Sequence, residues 1–303
     1  MNTIKLKELL KNFDKNLTYD AELKKKNWFN IGGKAKVFFK ADELKDLVNF
    51  LKILDNQERI HILGAGSNTL ITDEVFDGVI IKLGENFNRI SLLNPDIIIS
   101  GAAVLDRKLA DFSAENNLSG FEFLSCIPGT IGGGIKMNAG CFGNEIKDIL
   151  ISLQAIDKSG NVLTIPASKI KFDYRKNDLP EDLIFLSASF KGKQKDYKKI
   201  IETMTQLKSK KNNNQPTKIR TSGSTFKNPI NETNKKAWEL IKESVPINTQ
   251  FGDAYISDKH SNFFVNKGNA SFNDMKKLIN FVKKSVFDKT GINIEKEIKI
   301  LEN

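Results

Sequence analysis

The chain has 303 residues, 40% of them hydrophobic, which is enough for two domains with buried cores. No apolar run reaches the about 18 residues that cross a bilayer, and the charged N-terminus lacks the apolar centre of a signal peptide, so no membrane association is expected and the expected location is cytoplasmic. The formal charge of +10 comes almost entirely from lysines spread along amphipathic segments, and no nucleic-acid reading motif accompanies them, so no nucleic-acid partner is expected.

Ile4, Leu6, Leu9, Leu10 and Phe13 recur near helical spacing and predict a helix over 1–15. The turn Asn27-Trp28-Phe29-Asn30-Ile31-Gly32-Gly33 leads into a strand at 35–40. Asp42 is the expected N-cap of a helix over 43–54. A buried strand at 60–63 runs into Gly64-Ala65-Gly66-Ser67-Asn68. Strands follow at 79–83 and 97–100, then a helix over 105–117 that stops near Gly120. Beyond a glycine-rich stretch, strands at 152–157 and 162–166 are joined by Lys158-Ser159-Gly160-Asn161. A strand at 183–191 precedes a helix over 196–210, with Ile200, Ile201, Met204 and Leu207 on one side. The polar run 210–217 is the expected domain boundary. A helix at 238–244, a strand at 261–265, a helix over 272–290 and a last strand at 292–301 complete the chain. Strands and helices mixed without a regular βαβ period predict an α+β fold.

The most informative stretch is 129–143, where Gly129, Gly132, Gly133, Gly134, Gly140 and Gly143 alternate with apolar residues and almost no charge. A linker would be polar and repetitive. Bare backbone in an apolar loop suits a flat, phosphate-bearing cofactor, although a tight turn between buried strands also accounts for such glycines. Cys126 and Cys141 lie beside or within this stretch and are too few for a zinc site or a disulfide framework. Gly64-Ala65-Gly66-Ser67-Asn68 is not the dinucleotide fingerprint, because Thr69 stands where the third glycine belongs. Its backbone N–H groups suit a pyrophosphate, and two such loops can grip a dinucleotide from two sides.

Phe172-Asp173-Tyr174-Arg175 sets an arginine in a lysine-preferring chain. A guanidinium pairs bidentately with carboxylate or phosphate, and a plain surface arginine is the alternative. Ser222-Gly223-Ser224-Thr225-Phe226-Lys227-Asn228-Pro229 gathers hydroxyls, a cation and an amide around a glycine turn, but it is no hydrolase elbow. His61 and His260 do not complete a Ser–His arrangement with it. Glu295 and Glu297 alternate in the last strand and share a face, which a merely solvated edge would also show.

Taken in order, Asn27–Gly33, 62–73, 120–143, Tyr174-Arg175, 223–229, 260–266 and 294–298 resemble the UDP-N-acetylenolpyruvoylglucosamine reductase family of bacterial flavoenzymes, over nearly the whole chain. The resemblance implies an FAD-binding region of the vanillyl-alcohol-oxidase (PCMH) type over 1–210, with its core at about 27–192. A smaller α+β substrate-binding domain over 211–303 follows. It places the catalytic roles on Arg175, Ser224 and Glu297. It implies cofactor contacts from Gly64, Ala65, Gly66, Ser67, Asn68, Pro128, Gly129, Thr130, Gly132, Gly133, Asn138 and Gly140, and substrate contacts from Tyr174, Lys227 and Asn228. Asn177, Lys296 and Cys126 depart from the family's usual serine, proline and glycine, and the short span from Arg175 to Ser224 resembles the branch without a tyrosine-bearing substrate loop. The implied partners are FAD, NADPH and UDP-N-acetylglucosamine enolpyruvate, with no metal and a monomeric protein. Two other classes are weighed against this: a flavin oxidase with the same cofactor domain, and a non-catalytic nucleotide- or nucleic-acid-binding protein.

Overall fold

The computed structural model describes Glu8 and residues 10–13, 15–55 and 57–303. Of the helix expected over 1–15, Ile4, Leu6 and Leu9 lie outside the described residues. Lys11–Phe13 form one 3-10 turn, and the Phe13 ring meets Phe39 and Phe50 edge-on at 5.7 and 5.6 Å.

The chain forms two compact units. The first takes the described residues up to Ala21, Lys36–Ala65 and Asp77–Lys210. It holds a four-stranded sheet ordered Leu17–Glu22, Lys34–Ala41, Phe76–Leu83, Ile60–Ile62, and a five-stranded antiparallel sheet ordered Val162–Pro166, Leu150–Ile156, Ile184–Lys191, Ile97–Gly101, Ile90–Asn94. The central strand Ile184–Lys191 buries Ile184, Phe185, Leu186, Ala188 and Phe190, as a strand covered on both faces does. The helix Leu44–Leu54 buries Leu47, Phe50, Leu51 and Leu54, the i, i+3, i+4, i+7 stripe of an amphipathic helix. Asp42 does not cap it. Its carboxylate instead accepts the Glu85 N–H at 3.1 Å and pairs with Lys40 at 2.9 Å, and Glu43 stands at the cap position without a side-chain bond.

The second unit takes Glu22–Ala35, Gly66–Phe76 and Lys211–Asn303. It therefore differs from the contiguous division expected at 210. Long-range bonds draw the two earlier segments into it. Thr69–Ile71 pairs in parallel with Lys299–Leu301, and the Asn266 amide donates to the Phe29 carbonyl at 2.8 Å. Phe29 and Ile31 join one core with Phe264, Leu278 and Ile298. A three-stranded antiparallel sheet, Gln250–Phe251, Ala254–Ile256 and Phe264–Asn266, and the helices Ala237–Ser244 and Phe272–Thr290 complete this unit. The long helix starts on a capping box between Ser271 and Asp274, buries Met275, Leu278, Ile279, Val282 and Val286, and ends at Gly291.

Two further expectations are corrected. The helix expected to end at 210 spans Tyr197–Asn214, because asparagine costs an established helix only tenths of a kcal/mol per residue. The strand expected over 292–301 is regular only at Lys299–Leu301; before it lies irregular chain with one bridge, Phe226 to Lys296.

Gly33 is fixed by contact. A Cβ there would lie 2.1 Å from the Asp73 carbonyl oxygen and 2.6 Å from that of Glu74. Gly33→Ala is expected to cost about 3 kcal/mol, since backbone must move to admit a methyl. Chemical denaturation of the variant checks this, and an unchanged midpoint would refute the packing.

Candidate active site

Arg175 sits in the first unit, in the two-residue turn between Phe172–Asp173 and Lys176–Asn177. Its φ of 57° is left-handed, a conformation that costs a non-glycine residue energy and recurs at functional positions. The guanidinium is seated on backbone: Nη2 donates to the Gly140 carbonyl at 2.9 Å and Nη1 to that of Asn138 at 3.5 Å. Glu145 lies 4.0 Å away and the Tyr174 ring 5.0 Å from the guanidinium carbon. Asn138 is fully buried, and its amide donates to Glu145 and to the Asp173 carbonyl while its oxygen accepts the Lys147 N–H. Asn138 and Gly140, expected at the cofactor, thus build the arginine's seat. Asn177 ties the same hairpin to the helix Ile131–Lys136 by donating to the Ile135 and Lys136 carbonyls at 2.9 and 3.0 Å.

Ser224 and Glu297 lie in the second unit, where Gly223, at φ 77°, turns the chain before Ser224. The segment that follows is flanked on two sides. Ser224 bridges Phe263, and the Thr225 N–H donates to the Asn262 carbonyl. On the other side the Glu297 N–H donates to the Thr225 carbonyl and the Lys227 N–H to that of Glu295, each at 2.8 Å. Ser224 and Glu297 are therefore brought to neighbouring rungs, although 292–298 is not a regular strand. Asn68 belongs here too, since its amide donates to the Glu297 carbonyl at 3.0 Å. Lys227 pairs with exposed Glu295 at 3.3 Å, and the Asn228 oxygen accepts the Ala237 N–H at the start of the helix Ala237–Ser244.

In the first unit Gly64, which opens one glycine-rich loop, meets the other. A Cβ on Gly64 would come within 2.6 Å of Thr130 Oγ1, and Thr130 caps the helix Ile131–Lys136 by accepting the Gly133 N–H. Exposed Gly133 would present a Cβ to nothing nearer than that hydroxyl, at 3.5 Å. Its bare backbone beside Thr130 is open to a flat phosphate-bearing group, so these residues fit FAD. Gly129 and Gly134 also serve internal packing. A Cβ on either would lie 2.6 Å from a neighbour, Asp106 Oδ2 for Gly129 and Ile146 for Gly134.

Asp106 was not singled out by the sequence, where it reads as an ordinary acidic residue at a helix start. In the fold its side chain is fully buried and neither carboxyl oxygen has a hydrogen-bond partner. Burial pushes its pKa up to about 8; the Gly129 N–H lies beside it without full hydrogen-bond geometry and offsets this only in part.

With this geometry in place, comparison with known proteins is decisive. Residues 215–301 match the C-terminal domain of UDP-N-acetylenolpyruvoylglucosamine reductase, and residues 35–166 match the FAD binding domain. The UDP-N-acetylenolpyruvoylglucosamine reductase of Pelagibacter ubique is 65% identical over 94% of this chain and 95% of its own length. The chain belongs to the UDP-N-acetylenolpyruvoylglucosamine reductase family. That of Rickettsia prowazekii is 44% identical over 92% of this chain and 94% of its own. The crystal structure of the Thermus caldophilus reductase aligns with a TM-score of 0.81 at 28% identity, covering 94% of this chain and 98% of that one. The α+β fold class with an FAD-binding domain ahead of a smaller C-terminal domain is as expected. No helix among the described residues is long and apolar enough to cross a membrane.

Proposed function

We propose that this protein reduces UDP-N-acetylglucosamine enolpyruvate to UDP-N-acetylmuramate, a peptidoglycan precursor, with NADPH as the electron source. The match of both domains to this reductase family carries the reading. The chemistry supplied by FAD, when bound, is transfer of a hydride from NADPH to C3 of the enolpyruvyl ether. The backbone of Gly64–Ala65 and Pro128–Gly133 would hold that group.

The protein's own residues manage the charge and the proton. Hydride arrival at C3 pushes negative charge onto C2 and the adjoining carboxylate. Arg175, already fixed by two backbone carbonyls, stabilises that charge without reorganising. Ser224 gives its hydroxyl proton to C2; a weak acid suffices against a carbanion-like partner when correctly placed. Glu297 orients or polarises the reacting centre. Tyr174, Lys227 and Asn228 contact substrate, and the protein acts as a cytoplasmic monomer.

The test is spectroscopic and anaerobic. The purified protein is expected to show a flavin spectrum that bleaches with NADPH and returns on adding UDP-N-acetylglucosamine enolpyruvate. Recovery only on admitting oxygen would favour an oxidase, and a colourless protein unable to take up FAD would refute the cofactor assignment.

A further inference from the structure

We infer that Asn262 is the positioning residue for the proton donor: one buried side-chain amide, bonded twice to the main chain of Phe226, fixes the segment that carries Ser224. The inference rests on the proposed role of Ser224.

The Asn262 side chain is 3% exposed. Its Oδ1 accepts the Phe226 N–H at 2.9 Å, and its Nδ2 donates to the Phe226 carbonyl at 2.8 Å. A single side chain so reproduces the paired bonds that one strand residue gives another across an antiparallel ladder. Its backbone carbonyl adds a third bond, from the Thr225 N–H at 2.8 Å.

Little else on that side fixes Ser224 polar contact by polar contact. The neighbouring hydroxyls of Thr221, Ser222 and Thr225 are buried without a hydrogen-bond partner, so they do not tether the segment. Gly223 precedes Ser224 at φ 77° with no atom within 4 Å of where a Cβ would stand, so packing does not hold the residue just before Ser224. The C-terminal flank is anchored: the Phe226 ring is buried and meets Phe264 edge-on at 5.9 Å. The height and twist of the peptide between these flanks is therefore set by Asn262 together with the Glu295 and Glu297 rungs.

Asn262 is itself braced. Its N–H donates to His260 Nδ1 at 3.3 Å, which requires that nitrogen to be unprotonated. The His260 ring packs on Phe263 at 4.7 Å, and Ser261 donates to the Trp238 carbonyl. The turn 257–263 thus presents the amide from a rigid support, as a proton donor that must sit within tenths of an ångström of its target needs.

The experiment uses the FAD-loaded enzyme and separates the half-reactions by stopped flow. Asn262→Leu removes both bonds at similar volume, and Asn262→Asp keeps the acceptor should the leucine variant fail to fold. Both are expected to be reduced by NADPH at the wild-type rate and to bind substrate within a few-fold of wild type. Reoxidation by UDP-N-acetylglucosamine enolpyruvate is expected to slow by about 10²-fold in the leucine variant, the effect of roughly an ångström's misplacement. In the Ser224→Ala background neither change is expected to slow reoxidation further. A wild-type reoxidation rate in the Asn262 variants beside a slow Ser224→Ala would overturn the inference alone. Equal slowing of both half-reactions, or effects that multiply with Ser224→Ala, would overturn it as well. A wild-type rate in Ser224→Ala would remove the proton-donor reading and this inference together.

Discussion

Ser224→Ala is expected to leave reduction of bound FAD by NADPH at the wild-type rate and to slow reoxidation by UDP-N-acetylglucosamine enolpyruvate by about 10²- to 10⁴-fold, the range for a lost general acid. The asymmetry follows from the chemistry. NADPH oxidation needs no proton at C2, whereas the second half-reaction leaves charge there that must be quenched. Substrate affinity is expected to change little, because a hydroxyl aimed at C2 acts mainly in the transition state. The fold should tolerate the change: Ser224 is half-buried, and the bonds that hold its segment run through the Thr225, Phe226 and Lys227 main chain. Stopped-flow absorbance of the flavin resolves the two steps. Equal loss in both would sink the assignment.

Asp106→Asn is expected to make the protein more stable than the wild type at alkaline pH, by a margin that shrinks as the pH falls. The buried carboxyl has a folded pKa of about 8 against an ordinary value of 3.8. Between these values the folded state keeps a proton that the unfolded state has released. The stability linked to that proton is complete below about pH 4 and is lost as pH rises through about 8. Each unit in the window removes about 1.4 kcal/mol, for a total on the order of 5 kcal/mol. Asparagine has nearly the same shape and does not titrate. The difference in Tm between variant and wild type, measured from pH 5 to 9, should therefore grow in favour of Asp106→Asn up to about pH 8 and then level off. A flat difference would show that the carboxylate finds a partner in the folded protein. The result bears on the cofactor as well, because Asp106 lies against Gly129, at the start of the loop proposed to hold FAD.

What could be read from the sequence was what depends on neighbours along the chain. The helix Phe272–Thr290 carries its own start in Ser271 and Asp274, its buried stripe at helical spacing, and its stop in Gly291, and it was expected at the residues where it lies. The strand Val162–Pro166 was equally legible, since its pairing with Leu150–Ile156 closes through a short turn. The motifs around Arg175 and Ser224 were local too, and family membership followed from them. Glycine density pointed to the 129–143 loop but could not tell Gly133, which leaves backbone open, from Gly134, which admits the Ile146 side chain.

The remainder depended on partners far away in sequence. Asn266 to Phe29 and Thr69–Ile71 to Lys299–Leu301 join segments more than 200 residues apart, and these bonds place 22–35 and 66–76 in the second unit. Asn68, Asn138 and Asn262 look alike in one dimension. Only the fold assigns their amides to the Glu297 carbonyl, the seat of Arg175 and the main chain of Phe226. Asp106 looks like any acidic residue at a helix start until Gly129 and Gly134 close over it. The physical reason is common to all of these. Propensity, capping and periodicity act over a few residues and are written in the sequence, whereas burial and long-range hydrogen bonding exist only once distant segments have packed.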